Sequence, residues 1–336
     1  MARARHQDDA AGSAQSAAGT GLVIFPGALG DLICFAPALR AVARRHNLRR
    51  VDLVARSDLA VFACGRLGVA RGYGIERREL ARLFASDTQQ SELDEFFGRY
   101  VAIYSFFASD NHQFRRNLTR VSRGRARFFP FHPPGTGHRA GRYLKLIGER
   151  RLDRAVQLSL QPEDFASAAG ELSKGGISPG GYLLLLPGSG SGRKNWPLEN
   201  FFALALEQTS LQPAALLGPA EAGLEAAFAQ RNISVFANLE LATAAALARL
   251  GAAFVGNDSG LSHLAAAAGA PGVVLFGPTD PDEWRPLGKV VVLRREPLDR
   301  LSPVEVADAL ACLLKGAGKA TSKGRTAGLE RYRQPR

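Results

Sequence analysis

The chain has 336 residues, 46% of them hydrophobic and 22% charged, enough apolar material for two domains of average size. No stretch reaches the roughly 18 uninterrupted apolar residues of a membrane span, and the N-terminus lacks a signal-peptide apolar core, so a cytoplasmic protein is expected. Cys34, Cys64 and Cys312 lie far apart without a CxxC or Cys/His pattern, which argues against a zinc site or a disulfide framework and predicts three small buried apolar residues.

The formal net charge of +12 is concentrated in two places. Residues 316–336 carry six Lys/Arg against one Glu, and Asn111–Arg127 carries six Arg and no acid, leaving the remainder nearly neutral. Such patches suit nucleic acid, anionic headgroups or phosphorylated substrates, and charge alone does not choose among them. The patches lack aromatic interleaving and any recognition motif, so no nucleic-acid partner is expected.

In chain order, residues 1–20 have no periodicity and predict a disordered leader. Leu22–Phe25 reads as a buried strand running into a glycine-bracketed turn, with a helix from near Asp31 whose core face is Leu32, Phe35, Leu39 and Val42. Pro37 inside that helix predicts a kink or a break. Val51–Val54 is the next strand, Val101–Phe107 another, and the arginine-rich segment a basic helix followed by a strand. Gly141–Ile147 reads as a helix, and the polar Gly/Ser/Pro-rich stretch Gln161–Gly181 marks a domain boundary.

The second half is more regular. Strands at Tyr182–Leu186, Ala214–Leu217, Ser234–Phe236, Ala252–Val255 and Gly272–Phe276 alternate with helices at Leu198–Gln208, Glu221–Gln230, Leu241–Leu250 and Leu261–Ala268. This alternation predicts a parallel sheet covered on both faces. Val290–Leu293 adds a last strand, and Ser302–Leu314 a helix with Ser302 as N-cap and Pro303 at its first position. Beyond Lys315 a disordered basic tail is expected.

Three turns stand at the carboxyl ends of predicted strands, where open α/β sheets bind ligands. The first, Gly27–Asp31, offers a carboxylate: Asp31 is either a helix first-turn acid or a base facing a cleft. The second, Gly188–Lys194, combines glycines that let the backbone approach an anion with Ser189 and a terminal lysine, Lys194. Its spacing matches neither a Walker A loop nor a dinucleotide fingerprint. The third, Gly256–Gly260, places Asp258, Ser259 and Gly260 at a helix start, where amides and dipole favour phosphate. Capping alone accounts for one such polar residue, not for Asn257, Asp258 and Ser259 together. His263 follows one turn later on the same face, and Thr279 in a Gly-Pro-Thr loop is within reach of the same phosphates or is an ordinary turn residue.

The strings GALGDLICFAPALRAV, LLPGSGSGRKNWPLENFFALA and VGNDSGLSHLAAAAGAPGVVLFGPTDP, in this order and spacing, resemble the three signature regions of glycosyltransferase family 9, the bacterial lipopolysaccharide heptosyltransferases and their relatives. The resemblance covers most of residues 21–315. It implies an α/β protein of GT-B architecture: two Rossmann-like domains with parallel sheets facing a central cleft, an acceptor domain at 21–165 and a nucleotide-sugar domain at 178–315. It further implies an inverting, metal-independent transferase without a cofactor, typically using ADP-heptose. By position, Asp31 is the implied base, Lys194 the contact to the donor diphosphate, and Asp258, Ser259, Gly260 and His263 the donor signature. Cys34 departs from the heptosyltransferase I pattern, which has a histidine there.

The expected partners are therefore a nucleotide-sugar and an anionic glycolipid or glycan acceptor, with peripheral contact at the inner face of the inner membrane. Arg115, Arg116 and Arg120 are expected on the acceptor side, the competing reading being a solvated basic helix. The rival functions are a nucleotide-sugar epimerase or hydrolase on the same fold and a non-enzymatic nucleic-acid binder.

Overall fold

The computed structural model describes residues 19–86, 90–152, 156–207 and 210–320. The first half runs β1 (Thr20–Ile24), α1 (Leu29–Arg45), β2 (Arg50–Ala55), α2 (Ser57–Ala63), β3 (Arg71–Gly74), α3 (Arg78–Arg82), α4 (Gln90–Phe97), β4 (Ala102–Ser105), α5 (His112–Val121), β5 (Ala126–Phe128) and α6 (Arg139–Leu146). The second continues with α7 (Pro162–Lys174), β6 (Tyr182–Leu186), α8 (Leu198–Glu207), β7 (Gln212–Leu217), α9 (Glu225–Ala229), β8 (Ser234–Ala237), α10 (Leu241–Leu250), β9 (Ala253–Asn257), α11 (Gly260–Ala267), β10 (Gly272–Phe276), α12 (Pro281–Trp284), β11 (Val290–Arg294) and α13 (Pro303–Ala320).

Two all-parallel sheets result. The first has the order β3-β2-β1-β4-β5 and the second β11-β10-β9-β6-β7-β8. Each is doubly wound, with strand order reversing between β1 and β4 in one and between β6 and β9 in the other. Those reversals are where such sheets open a crevice at the carboxyl edge. The turn after β1, the loop after β6 and the turn after β9 all stand at these two points, so the topology places all three predicted turns where ligands bind.

The core explains how the halves meet. One apolar cluster covers the inner faces of both sheets, from Val23, Phe25 and Phe35 to Leu184, Leu186, Phe254 and Leu264. Two others cover the outer faces, one around Leu183, Trp196 and Val255, the other around Leu22, Phe97 and Phe114. α1 lies between its own sheet and α11. Ile33, Cys34, Ala36, Ala38 and Ala41 are therefore buried as well as the predicted Leu32, Phe35, Leu39 and Val42, as expected of a helix covered all round.

Several expectations are corrected. α1 runs unbroken through Pro37, because burial on both sides holds a helix that has lost one backbone bond. Thr20, assigned to the leader, opens β1 opposite Arg50; residues 1–18 lie outside the described part. The helix expected at Glu221–Gln230 is a 3₁₀ turn, Pro219–Leu224, followed by the short α9. α13 passes Lys315 and ends at Ala320, with the rest of the basic tail outside the described residues. Ser302 and Glu305 exchange capping bonds at its start. Of the cysteines only Cys34 is buried; Cys64 is half-buried, and Cys312 is exposed because it lies on the outward face of α13.

Candidate active site

Asp31 sits in the first turn of α1, where its carboxylate accepts a hydrogen bond from Ala28 N–H at 3.2 Å. The helix-capping role is therefore real, and it holds the carboxylate at the cleft end of the helix. Burial pushes the Asp31 pKa above the usual carboxylate value, opposed by the Ala28 amide and then by the charges of Arg139, His132 and Lys194. Arg139 and His132 come from its own half and Lys194 from the other. Asp31 thus faces the crevice rather than solvent at large.

The second half supplies a tight polar cluster. Asp258 Oδ2 accepts from Lys194 Nζ at 2.8 Å and from Thr279 Oγ1 at 2.7 Å, and the Asp258 residue is 4% exposed. Three segments distant in sequence are thereby joined: the loop after β6, the turn after β9 and the loop after β10. Asn257 fixes the first to the second, accepting from Trp196 N–H at 3.0 Å and donating to Pro187 O at 2.6 Å. Trp196 is a core residue whose Nε1–H donates to Leu301 O at 2.8 Å. Ser259 caps α11 by accepting from Ser262 N–H at 3.3 Å, which places the start of that helix directly after Asp258, the partner of Lys194. In the loop after β6, Ser189 Oγ donates to Ser191 O at 2.7 Å.

His263 lies at the seam. It is 3% exposed, its Nδ1 is 3.7 Å from Cys34 Sγ of α1, and its ring also bonds the Trp284 backbone. Burial lowers its pKa to about 4, partly offset by the nearby Asp258 charge, so the ring is neutral. The Cys34 thiol is pushed far up by burial and by the Asp31 charge. The pair is a packed joint between α1 and α11.

Sequence reasoning missed the α6 side of the cleft. Glu283 of α12 accepts from Arg139 Nη2 at 2.9 Å and also pairs with Arg142. The Arg139 guanidinium stacks 4.3 Å from the Trp284 ring centre, and His138 Nε2 bonds Arg285 O at 2.8 Å. Buried Nε atoms on Arg139 and Arg142 have no hydrogen-bond partner. The run His138, Arg139, Arg142 at a helix start was the available signal, hidden by distance in sequence from its partners.

Beyond Ser259 a cavity of about 750 Å³ opens between the halves. Leu29, Val61, Phe62 and Arg56 line one side; Ser189, Glu221, Leu241, Ser259 and Gly260 line the other. Asp31, Lys194, Asp258 and Thr279 are not in its wall but adjoin it through Leu29, Ser189 and Ser259. Glu221, whose Oε2 accepts from Gly218 N–H at 3.1 Å, passes so close to Gly188 that a Cβ there would fall 2.2 Å from its carboxyl carbon. A glycine is needed at 188 for that carboxylate to reach the cavity, which is large enough for a nucleoside.

Arg115, Arg116 and Arg120 are on α5, which packs by Phe114, Leu118 and Val121 on the outer face of the first sheet, the face opposite α1. Arg115 donates to Ser109 O at 3.1 Å and stacks 5.0 Å from the Phe128 ring centre. These arginines are not part of the Asp31–Lys194–Asp258 grouping. Among the described residues no group of three His, Cys, Asp or Glu side chains is arranged to hold a metal ion. None of the described helices is long and apolar enough to cross a membrane.

Two doubly wound parallel sheets that meet at a crevice have the architecture of a GT-B glycosyltransferase. The family model described as glycosyltransferase family 9 (heptosyltransferase) matches residues 100–309, and the chain belongs to that family. Its fold is similar to that of a family 9 glycosyl transferase from Veillonella parvula, with 18% identity and a TM-score of 0.73 over 89% of this chain and 97% of that one. It is also similar to E. coli ADP-heptose lps heptosyltransferase II, with 20% identity and a TM-score of 0.70 over 89% and 99%. The E. coli heptosyltransferase WaaC with ADP follows, at 20% identity and a TM-score of 0.63 over 88% and 99%. No curated protein sequence matches the chain.

Proposed function

We propose that this glycosyltransferase moves heptose from ADP-heptose onto a hydroxyl of a lipopolysaccharide-core-like or other cell-surface glycan, with inversion at the anomeric carbon. The observation that carries the reading is the convergence of Asp31 from one half with the Lys194–Asp258–Thr279 cluster from the other. E. coli heptosyltransferase WaaC, which has the same fold, has been solved with ADP and with ADP-2-deoxy-2-fluoro heptose, which supports the choice of donor.

In this mechanism Asp31 takes the proton of the acceptor hydroxyl. Burial raises its pKa above the usual carboxylate value, which makes it a stronger base than a solvated carboxylate. The freed oxygen bonds to the anomeric carbon from the face opposite the diphosphate, which leaves with the electrons of the broken C–O bond. Lys194, Ser189 and the amides at the start of α11 then meet the charge on the departing diphosphate, a preorganised electrostatic provision. Asp258 and Thr279 hold Lys194 at its post, and the reading directs the second Asp258 oxygen at the donor sugar. His263 supports the turn from behind. The nucleoside occupies the 750 Å³ cavity, where the Glu221 carboxylate suits ribose hydroxyls.

The reading needs no metal or other cofactor, because protein groups neutralise the diphosphate. It assigns Arg115, Arg116 and Arg120 to an anionic acceptor or to the inner membrane surface that carries it. A thermal-shift series of nucleotide-sugars followed by a transfer assay tests the proposal. Stabilisation by ADP-heptose and dependence of turnover on a glycan are expected. Turnover of the donor without any acceptor would make the protein a hydrolase or epimerase instead.

A further inference from the structure

We propose that Arg139 is a positioning residue for Asp31, and that Glu283 from the opposite half holds it there, so that the carboxylate is charged and aimed when the two halves are together. The inference rests on the reading of Asp31 as the base.

The geometry starts at α6. Tyr143, one turn after Arg139, donates to Phe131 O at 2.9 Å, and the Phe131 ring lies against Gly27, beside the Asp31 Cβ. Phe25 packs at 5.6 Å from Phe131 and 5.8 Å from Tyr143 between ring centres. The start of α6 is therefore locked onto the turn that carries Asp31. Arg139 itself is 8% exposed, too buried to be a solvated cation, and its one ion pair among the described residues is with Glu283, at 2.9 Å. Trp284 beneath its guanidinium comes from the same opposing segment.

Arg142 shares Glu283 but also donates Nη1 to Pro133 O and Gly135 O at 3.3 and 2.9 Å, so it is tied to its own domain. Among the described residues Arg139 has no such tie, and it bears on Asp31 more strongly than any other charged group. The groups facing Asp31 are Arg139 on α6, His132 in the loop before it, Lys194 from the second half and Ala28 N–H on its own helix. Cys34 on α1 and Tyr143 on α6 are the neutral neighbours that feel its charge. Glu283, by pinning Arg139 from across the seam, makes the charge of the base depend on apposition of the halves.

The test is a carboxyl titration of the full chain labelled with [γ-¹³C]aspartate, the resonance lost in Asp31→Asn marking Asp31. Arg139→Gln is expected to raise its midpoint by about one unit or more, the effect of losing a cation near a carboxylate. Arg139→Lys restores the midpoint, and Arg142→Gln leaves it in place. Glu283→Gln keeps Trp284 under the guanidinium and serves where Arg139→Gln fails to fold; the midpoint is expected to rise there too. An unmoved midpoint in Arg139→Gln, or an equal rise in Arg142→Gln, overturns the inference, and a fall in Glu283→Gln removes the role of that carboxylate. Transfer activity retained by Asp31→Asn would instead remove Asp31 as base, whatever the titration shows.

Discussion

Gly30 and Gly260 meet across the two halves: a Cβ on Gly30 would stand 3.6 Å from the Gly260 Cα, and a Cβ on Gly260 would stand 3.3 Å from Gly30 N and 3.1 Å from Leu29 Cβ. The helix starts that carry Asp31 and Ser259 are thus in van der Waals contact, and the tight contacts at Gly260 leave no room there for a bulky side chain. Gly260→Val is expected to cost about 1–3 kcal/mol of stability through overpacking and to weaken ADP binding by displacing the first turn of α11. Denaturant midpoints and calorimetric titration read the two effects. An unchanged midpoint would mean that the halves do not close this tightly in solution.

Asp31→Asn keeps the size of the side chain and removes its basicity. We expect kcat to fall by about 10²–10⁴, the usual contribution of a general base, while ADP binds nearly as before. Because burial raises the Asp31 pKa, activity is lost as pH falls through that raised value, as the base takes up its proton. The acid limb of the rate profile should therefore lie above the ordinary carboxylate range and vanish in the variant.

Lys194→Ala acts on two properties at once. On the proposed mechanism it strips the leaving diphosphate of a cation, and it takes one of the two side-chain donors among the described residues, Lys194 and Thr279, from the buried Asp258 carboxylate. Breaking a buried pair on one side costs about 3–5 kcal/mol, an upper figure here because Lys194 is 29% exposed at the side chain. Both a lower unfolding temperature and a weaker ADP affinity are expected. Loss of stability with full ADP affinity would reduce Lys194 to a structural role.

His263 makes stability depend on pH. Its folded pKa, lowered to about 4, lies below that of an unfolded histidine, so the unfolded chain binds the proton first. Stability is therefore unaffected above about pH 6.5 and declines as pH falls toward 4, by about 3 kcal/mol in all at roughly 1.4 kcal/mol per unit. Denaturant unfolding between pH 4 and 7 should show this slope in the parent and a shallower one in His263→Leu.

If Lys194 and the α11 amides neutralise the diphosphate, transfer should persist in buffer containing a strong chelator. A loss of activity restored by added magnesium would shift part of that task to a metal ion.

The C-terminal half was readable because its strands are short, wholly apolar runs such as Leu183–Leu186, separated by small-residue helices, and parallel strands buried on both faces carry that pattern. Tyr182–Leu186, Leu241–Leu250 and Gly272–Phe276 fall where the pattern puts them. The region between Ala55 and Tyr100 was not readable. β3, with the sequence RGYG, is an edge strand of four residues with one aromatic side chain and no alternation, and the helices around it are short.

The sequence by itself determined the alternating architecture and the three turns that carry Asp31, Lys194, Asp258 and Ser259, because each depends on neighbours a few residues away. Tertiary structure alone decided that Lys194, Asp258 and Thr279 share one carboxylate oxygen, and that Arg139 and Glu283 meet beside Asp31. It also decided that Glu221 borders the nucleoside-sized cavity. Those contacts join segments 21 to 144 residues apart, and only the order of strands in two facing sheets brings such segments to a common edge.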